Sequence, residues 1–249
     1  MPREKDEITV DFIDFANLSV YQRKKGYRFS LDSVLLAYFA LEEGIRGDVL
    51  EVGAGVGVVS MLVARSERAV GRIVAVEIQE SLAEMARKNI ETNDLAASIE
   101  VVIADVREYV KVCGKMFDAV VSNPPFGRVD AGRVNPDREK RIARHEYTLD
   151  AANLGTAISS SLKAKGKFFL IYPARRLLDV CGQMNRRGLK LEKIRLVHSF
   201  RDKEAEFVLM KGGVGKQRDT TVMPPLYIYE RADTYSAEVV KIYNGMIRK

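Results

Sequence analysis

Two hydrophobic periods alternate along this chain. From residue 48, short runs that are apolar almost throughout, "DVLEV", "RIVAVEI", "SIEVVIAD", "FDAVVS" and "KFFLIYP", predict strands buried on both faces. Between them lie segments that are apolar at every third or fourth position: "VVSMLVARS", "QESLAEMARKNIETND", "LDAANLGTAISSSLKAKG" and "ARRLLDVCGQMNRRG". The second of these sets Leu82, Met85, Ala86, Asn89 and Ile90 along one helical face, the third is expected to end at Gly166, and the fourth at Gly188. No helix is assigned between Asp105 and Phe117. Upstream, residues 1–28 read as strand-like or irregular. "FSLDSVLLAYFALEEG" carries Leu31, Val34, Leu35, Tyr38, Phe39 and Leu41 at helical spacing, with Gly44 as a stop. "KLEKIRLVHSF" and "EAEFVLMKGG" predict two closing strands joined by a short turn. The expected fold class is α/β: a mostly parallel sheet with helices on both faces and an antiparallel hairpin at one edge. After Gly213 the pattern changes to a loop, an extended Pro-containing strand and a terminal helix. The boundaries this suggests are 1–46 for an N-terminal extension, 47–213 for the core and 214–249 for a C-terminal extension.

Composition narrows the chemistry. The 249 residues are 47% apolar and 30% charged, enough for one large core. No apolar run approaches a membrane span, and the charged N-terminus lacks the apolar core of a signal peptide, so the expected location is cytoplasmic, with no membrane partner. Cys113 and Cys181 stand apart from each other and from both histidines, His145 and His198. A metal site or a Cys-His nucleophilic pair is therefore not expected. The net charge of +6 is concentrated. Arg128, Arg133, Arg138, Lys140, Arg141 and Arg144 fall within one stretch against Asp130, Asp137 and Glu139. A solvated loop and a nucleic-acid backbone contact both fit that stretch.

"LEVGAGVGVVS" places Gly53, Gly55 and Gly57 after the first core strand and at the mouth of a helix. Glycines there permit a tight turn and a close approach to a ligand. Glu77 ends the next strand about 20 residues on, where a carboxylate can bond ribose hydroxyls. The spacing is G-x-G-x-G, however, and Glu51 lies inside the first strand. A carboxylate beside the turn opposes a pyrophosphate and suits a cationic ligand such as S-adenosylmethionine (AdoMet). Asp105, at the end of the third core strand, can accept from an adenine amino group. Glu51, Glu77 and Asp105 are thus expected along one crevice at the carboxyl ends of the strands.

The fourth core strand ends in Ser122-Asn123-Pro124-Pro125-Phe126. Each proline holds the residue before it extended and removes an N–H donor, so the turn is stiff and rich in acceptors. Such a turn suits an amine on a planar ring. If the Asn123 side-chain oxygen and the Pro124 carbonyl accept its two N–H bonds, the nitrogen lone pair is turned toward a methyl donor. Positioning and hydrogen bonding then carry the catalysis. Phe126 offers a stacking face worth about 1–3 kcal/mol. A base in a folded nucleic acid has to be flipped out to reach it.

These residues resemble a known group. "LEVGAGVGVVS", "VAVEI", "IADV" and "SNPPF" are similar to the class I, Rossmann-like AdoMet-dependent methyltransferases that act on amino groups. "KKGYRFSLDSVLLAYFA", "ARHEYTLD" and "PPLYIYERADTYSAEVVKIY" resemble, more narrowly, the bacterial tRNA1(Val) adenine-37 N6-methyltransferase family, so the likeness runs from about Gly26 to Tyr243. It implies that Glu51, Val52, Gly53, Ala54 and Gly55 hold the methionine part of AdoMet. Glu77 and Ile78 would hold the ribose, and Asp105 with Val106 the adenine. Arg28, Phe29 and Asp32, which precede the first core strand, would cover the cofactor together with the helix of residues 1–46. Asn123, also in contact with the cofactor, would form the acceptor site with Pro124, Pro125 and Phe126. Where many relatives carry Tyr, this chain has Phe126, which keeps stacking and loses a hydroxyl. The basic stretch from Arg128 to Arg144 would bind RNA, most simply tRNA. His145 could order that stretch or simply pack, and His198 reads as a strand residue.

Three other readings stay open at this level. The same turn can hold a carboxamide nitrogen, which would make the chain a glutamine N5-methyltransferase acting on a release factor. It could also be an AdoMet- or RNA-binding module without turnover. A nicotinamide dehydrogenase fits least well, given Glu51 and the glycine spacing.

Overall fold

The computed structural model describes residues 7–24, 28–66, 70–114, 116–124, 149–215 and 219–245. The chain opens with an antiparallel hairpin, β1 (Ile8–Ile13) and β2 (Leu18–Arg23), and then α1 (Leu31–Glu42). The strand–helix rhythm follows as β3 (Gly47–Val52), α2 (Val58–Ala64), β4 (Val70–Glu77), α3 (Glu80–Thr92), β5 (Ile99–Ile103), α4 (Val106–Cys113) and β6 (Phe117–Ser122). After residue 148 come α5 (Ala151–Ser161), β7 (Leu162–Pro173), α6 (Leu177–Arg186), β8 (Leu189–His198) and β9 (Ala205–Val214). The C-terminal part forms four short strands, β10 (Thr221–Val222), β11 (Leu226–Tyr227), β12 (Tyr229–Arg231) and β13 (Thr234–Tyr235), and then α7 (Ala237–Gly245).

The main sheet has the order β10-β8-β9-β7-β6-β3-β4-β5, with β11 following β10 along the same edge of β8. The strands from β5 to β7 are parallel. The β8–β9 hairpin is antiparallel, as its short connection requires. Its second strand inserts between β7 and β8, so β9 alone in the sheet runs against the rest.

Alternation along the central strands divides the core into two layers. Val49, Ile73, Ala75, Ala119, Val121, Phe169 and Ile171 face α1, α2, α3 and α7. Leu50, Val74, Val76, Val120, Phe168 and Leu170 face α4, α5 and α6. Burial on both faces explains why these strands read as unbroken apolar runs. Each large side chain buried there contributes about 1.5–3 kcal/mol.

Two expectations need correction. Residues Val106–Cys113 form a helix that the apolar pattern did not indicate, because only Val106 and Val110 are buried in it. The helix following residue 150 ends at Ser161, not at Gly166. Leu162 is already extended and pairs with Phe117, after which the register jumps to Ala119 with Lys167. Gly166 lies in β7 at this irregularity. A Cβ there would stand 2.7 Å from Leu162 Cδ2 and 3.2 Å from the Phe117 carbonyl oxygen, so close packing and not helix termination calls for glycine.

The N-terminal hairpin lies on α3 through two buried asparagines. Tyr21 N–H donates to Asn89 Oδ1 at 2.7 Å and Ser19 N–H to Asn93 Oδ1 at 2.9 Å. Their amide nitrogens donate back to the Tyr21 and Ser19 carbonyls at 3.0 and 2.8 Å. Spaced four apart on one helix face, the two side chains give β2 the backbone partners that a neighbouring strand would supply. Asn89 also donates to the Val56 carbonyl at 2.9 Å, which joins the hairpin to the glycine turn.

Candidate active site

The glycine turn follows β3. Gly53, Gly55 and Gly57 have φ of 73°, 57° and 86°, the left-handed region that side chains disfavour. Gly53 and Ala54 N–H groups donate to the Val76 carbonyl at 2.9 and 3.1 Å, pinning the turn to the end of β4. A Cβ on Gly57 would meet Ala86 Cβ at 3.3 Å, so α3 packs directly against the turn.

Two buried carboxylates order this region. Glu77 is 5% exposed, accepts from Gly55 N–H at 2.8 Å and from Gln79 N–H at 2.9 Å, and so braces both sides of the crevice. Ionised carboxylates have about four acceptor positions, which leaves Glu77 able to take ribose hydroxyls as well. Glu51 is 2% exposed; its Oε2 accepts from Ser60 N–H at 3.0 Å and from the Ser60 hydroxyl. Burial pushes its carboxyl up to about 7, the Ser60 bonds oppose that rise, and the neighbouring Glu77 charge adds to it. Neither group acting on it is cationic. A buried acid without a positive partner fits a ligand that brings its own positive charge.

A recess of about 220 Å³, counting space open to solvent, is lined by Phe29, Ser33, Glu51, Gly53, Ala54, Val56, Val58, Val59 and Asn123. It gathers residues that are far apart in sequence. Phe29 arrives from the segment before α1, with its N–H donating to the side-chain oxygen of the buried Gln22 at 3.1 Å. Arg28 turns away to Asp11 at 2.6 Å and Thr9 at 2.8 Å. Asp32 accepts from Ser33 N–H at 2.9 Å and from the Ser30 hydroxyl, which draws it into the first turn of α1. Val52 is buried in the opposite core layer, and Ile78 is half-buried after β4.

Asp105 occupies the end of β5, where strand order requires it, but its carboxylate is engaged. It caps α4 by accepting from Arg107 N–H at 2.8 Å and pairs with the Arg107 guanidinium. The hydrogen bond from that side chain is the largest influence holding its carboxyl below the usual range. Val106 is buried in the first turn of α4.

On the acceptor side, Asn123 and Pro124 are buried just beyond β6. The Ser122 hydroxyl donates to the Val52 carbonyl at 2.7 Å, locking the end of β6 to the end of β3. Asn123 Nδ2 donates to the hydroxyl oxygen of Ser33, 3% exposed in α1, at 3.2 Å. Pro125, Phe126, His145 and the basic residues Arg128, Arg133, Arg138, Lys140, Arg141 and Arg144 lie outside the described residues. His198 ends β8, with Nδ1 2.8 Å from the Lys203 carbonyl oxygen and its ring beside Tyr227. Burial raises the thiols of Cys113 and Cys181, both free. Among the described residues there is no metal-binding cluster of His, Cys, Asp or Glu, and no helix long and apolar enough to cross a membrane.

Ser60, Ser33, Gln22 and Asn89 were not anticipated from the sequence. Two of them carried a local signal. Ser60 is the lone polar residue in "VVSMLV", and Asn89 sits on an otherwise apolar face.

A sheet with one reversed strand, a glycine turn braced by buried acids and an Asn-Pro turn facing it across a recess together make a class I AdoMet-dependent methyltransferase, and AdoMet is its methyl donor. The family described as Methyltransferase small domain matches residues 29–142. A tRNA1(Val) (adenine(37)-N6)-methyltransferase of Dyadobacter fermentans is 31% identical over 220 residues, covering 87% of this chain and 88% of that protein. One of the same name from Phocaeicola vulgatus is 29% identical over 231 residues, covering 93% and 95%. The chain belongs to the tRNA1(Val) (adenine(37)-N6)-methyltransferase family. Among solved structures, an Agrobacterium tumefaciens protein described as a predicted O-methyltransferase superposes with a TM-score of 0.66 at 24% identity, over 88% of this chain and 98% of that one. The tRNA m1G37 methyltransferase of M. jannaschii superposes with a TM-score of 0.58 at 17% identity, over 85% and 58%. At these identities the likeness concerns the fold.

Proposed function

We propose that this chain transfers the methyl group of AdoMet to N6 of an adenine in tRNA, the reaction for which its relatives are named. The observation that carries the reading is Asn123, held by Ser33 at the rim of the recess that contains Glu51. AdoMet supplies an electrophilic methyl group beside a positive sulfur. Glu51 faces the cationic methionine end and Glu77 takes the ribose hydroxyls. The Asn123 side-chain oxygen and the Pro124 carbonyl accept the two N–H bonds of the substrate amine. This draws the nitrogen lone pair out of the ring and aims it at the donor, so no strong base is needed. Phe126 stacks the flipped base, and the basic residues from Arg128 to Arg144 take the RNA backbone.

The test is labelled AdoMet with total tRNA from cells lacking this protein, followed by nucleoside analysis. The expected product is N6-methyladenosine. Label recovered on a glutamine amide of a protein, with none in tRNA, would overturn the reading.

A further inference from the structure

We infer that Ser33 is a positioning residue for methyl transfer: its hydroxyl oxygen fixes which end of the Asn123 amide faces the substrate. This rests on the function proposed above and names a residue that neither the glycine turn nor the Asn-Pro turn contains.

An asparagine side chain is nearly symmetric in shape and opposite in polarity at its two ends. An amine that must donate two N–H bonds is served by the carbonyl end and repelled by the NH2 end. A half-turn about the last side-chain bond would therefore inactivate the site without disturbing its shape. In the structure Ser33 takes the NH2 end. Its hydroxyl oxygen accepts from Asn123 Nδ2 at 3.2 Å, and both residues are buried, at 3% and 7% exposure. With the NH2 group held there, Oδ1 is set at the opposite edge of the planar amide.

Ser33 is itself held. Its N–H bonds the Ser30 carbonyl at 3.1 Å and Asp32 Oδ1 at 2.9 Å, and it stands in the first turn of α1 next to Phe29 in the wall of the recess. The contact joins positions 90 residues apart, and through it α1 sets the rotamer of the acceptor turn. The Ser122 hydroxyl fixes the backbone of that turn and leaves the amide unconstrained.

The experiment compares wild type, Ser33→Ala and Asn123→Ala with an unmodified tRNA transcript, measuring kcat at saturation, AdoMet affinity by calorimetry and the thermal melting point. Alanine suits the first turn of a helix, so the fold is not at stake in the Ser33 variant. The inference predicts that Ser33→Ala loses about 10- to 100-fold in kcat, the cost of a misplaced catalytic group. Its AdoMet affinity should stay within about threefold of wild type, since that binding does not use the amide orientation. Wild-type kcat in Ser33→Ala, or a loss matched by equally weakened AdoMet binding, would overturn it. The three proteins separate the claims. Absence of N6-methyladenosine with wild type sinks the proposed function, full transfer by Asn123→Ala sinks the role given to the amide, and loss there with normal turnover in Ser33→Ala sinks only the role of Ser33.

Discussion

The two walls of the recess are held in different ways. On the cofactor wall the bonds are local: Glu51 to Ser60 spans 9 positions and Glu77 to Gly55 spans 22, all within one strand–helix–strand unit. On the acceptor wall they are long-range: Ser122 reaches β3 across 70 positions and Asn123 reaches α1 across 90. The carboxylate bracing of the cofactor wall is thus complete when β3, α2 and β4 form, with Asn89 of α3 adding a bond to the Val56 carbonyl. The acceptor wall exists only once the segment ahead of the core has docked. That segment is placed in turn by the hairpin, through Gln22 to Phe29 and through the asparagine pair on α3. AdoMet binding should therefore tolerate damage to the acceptor wall, and chemistry should not.

The strongest way to break the cofactor wall alone is Glu77→Ala. It leaves the buried Gly55 N–H without its acceptor, at a cost of about 1–3 kcal/mol, and removes the ribose contacts as well. AdoMet affinity should fall about 100-fold, read by calorimetry. Affinity within a few-fold of wild type would mean that the turn is held by something other than Glu77.

Next in size is a pH effect centred on Glu51. Its carboxyl, pushed up to about 7 by burial, is neutral below that value and anionic above it. Affinity for a cationic donor should rise with pH through 7, by about tenfold between pH 6 and 7.5. Stability without ligand should run the other way. A group whose pKa is raised by folding stabilises fully below its unfolded value, near 4.5, and loses that contribution as pH rises through about 7. The melting point should therefore fall with rising pH without AdoMet and stay nearly level with saturating AdoMet, and Glu51→Gln should flatten the ligand-free slope. Parallel slopes would remove Glu51 from the cation site.

Ser122→Ala sharpens the acceptor side. Losing one buried hydroxyl bond to Val52 costs about 1 kcal/mol of stability and should lower kcat several-fold with AdoMet affinity unchanged, in steady-state assays. The smallest effect is expected at Asp105. It caps α4 and is tied to Arg107, so Asp105→Ala should cost about 1 kcal/mol in melting experiments and only a few-fold in AdoMet affinity. A large loss of affinity there would show that the carboxylate leaves Arg107 for the cofactor.

The same division explains what was legible in the sequence. The alternating strands and helices, the glycine turn and the acids at the ends of β3 and β4 all lie in short windows whose spacing reports their geometry. The Asn123-Pro124 turn was legible for the same reason. What holds it was not. Ser33 is an ordinary serine until folding sets it against a residue 90 positions away, and nothing local distinguishes it. Helix α4 escaped because it is short and buries only two residues. The end of α5 was misplaced because Gly166 has the look of a helix stop, although packing in β7 is what requires it.

The division of labour between the two walls meets its most direct test in Asn123→Ala, with AdoMet affinity and the single-turnover rate of methyl transfer to tRNA measured on the same preparation. The account predicts that transfer is abolished while AdoMet binding is nearly unchanged. Methyl transfer at the wild-type rate would contradict it.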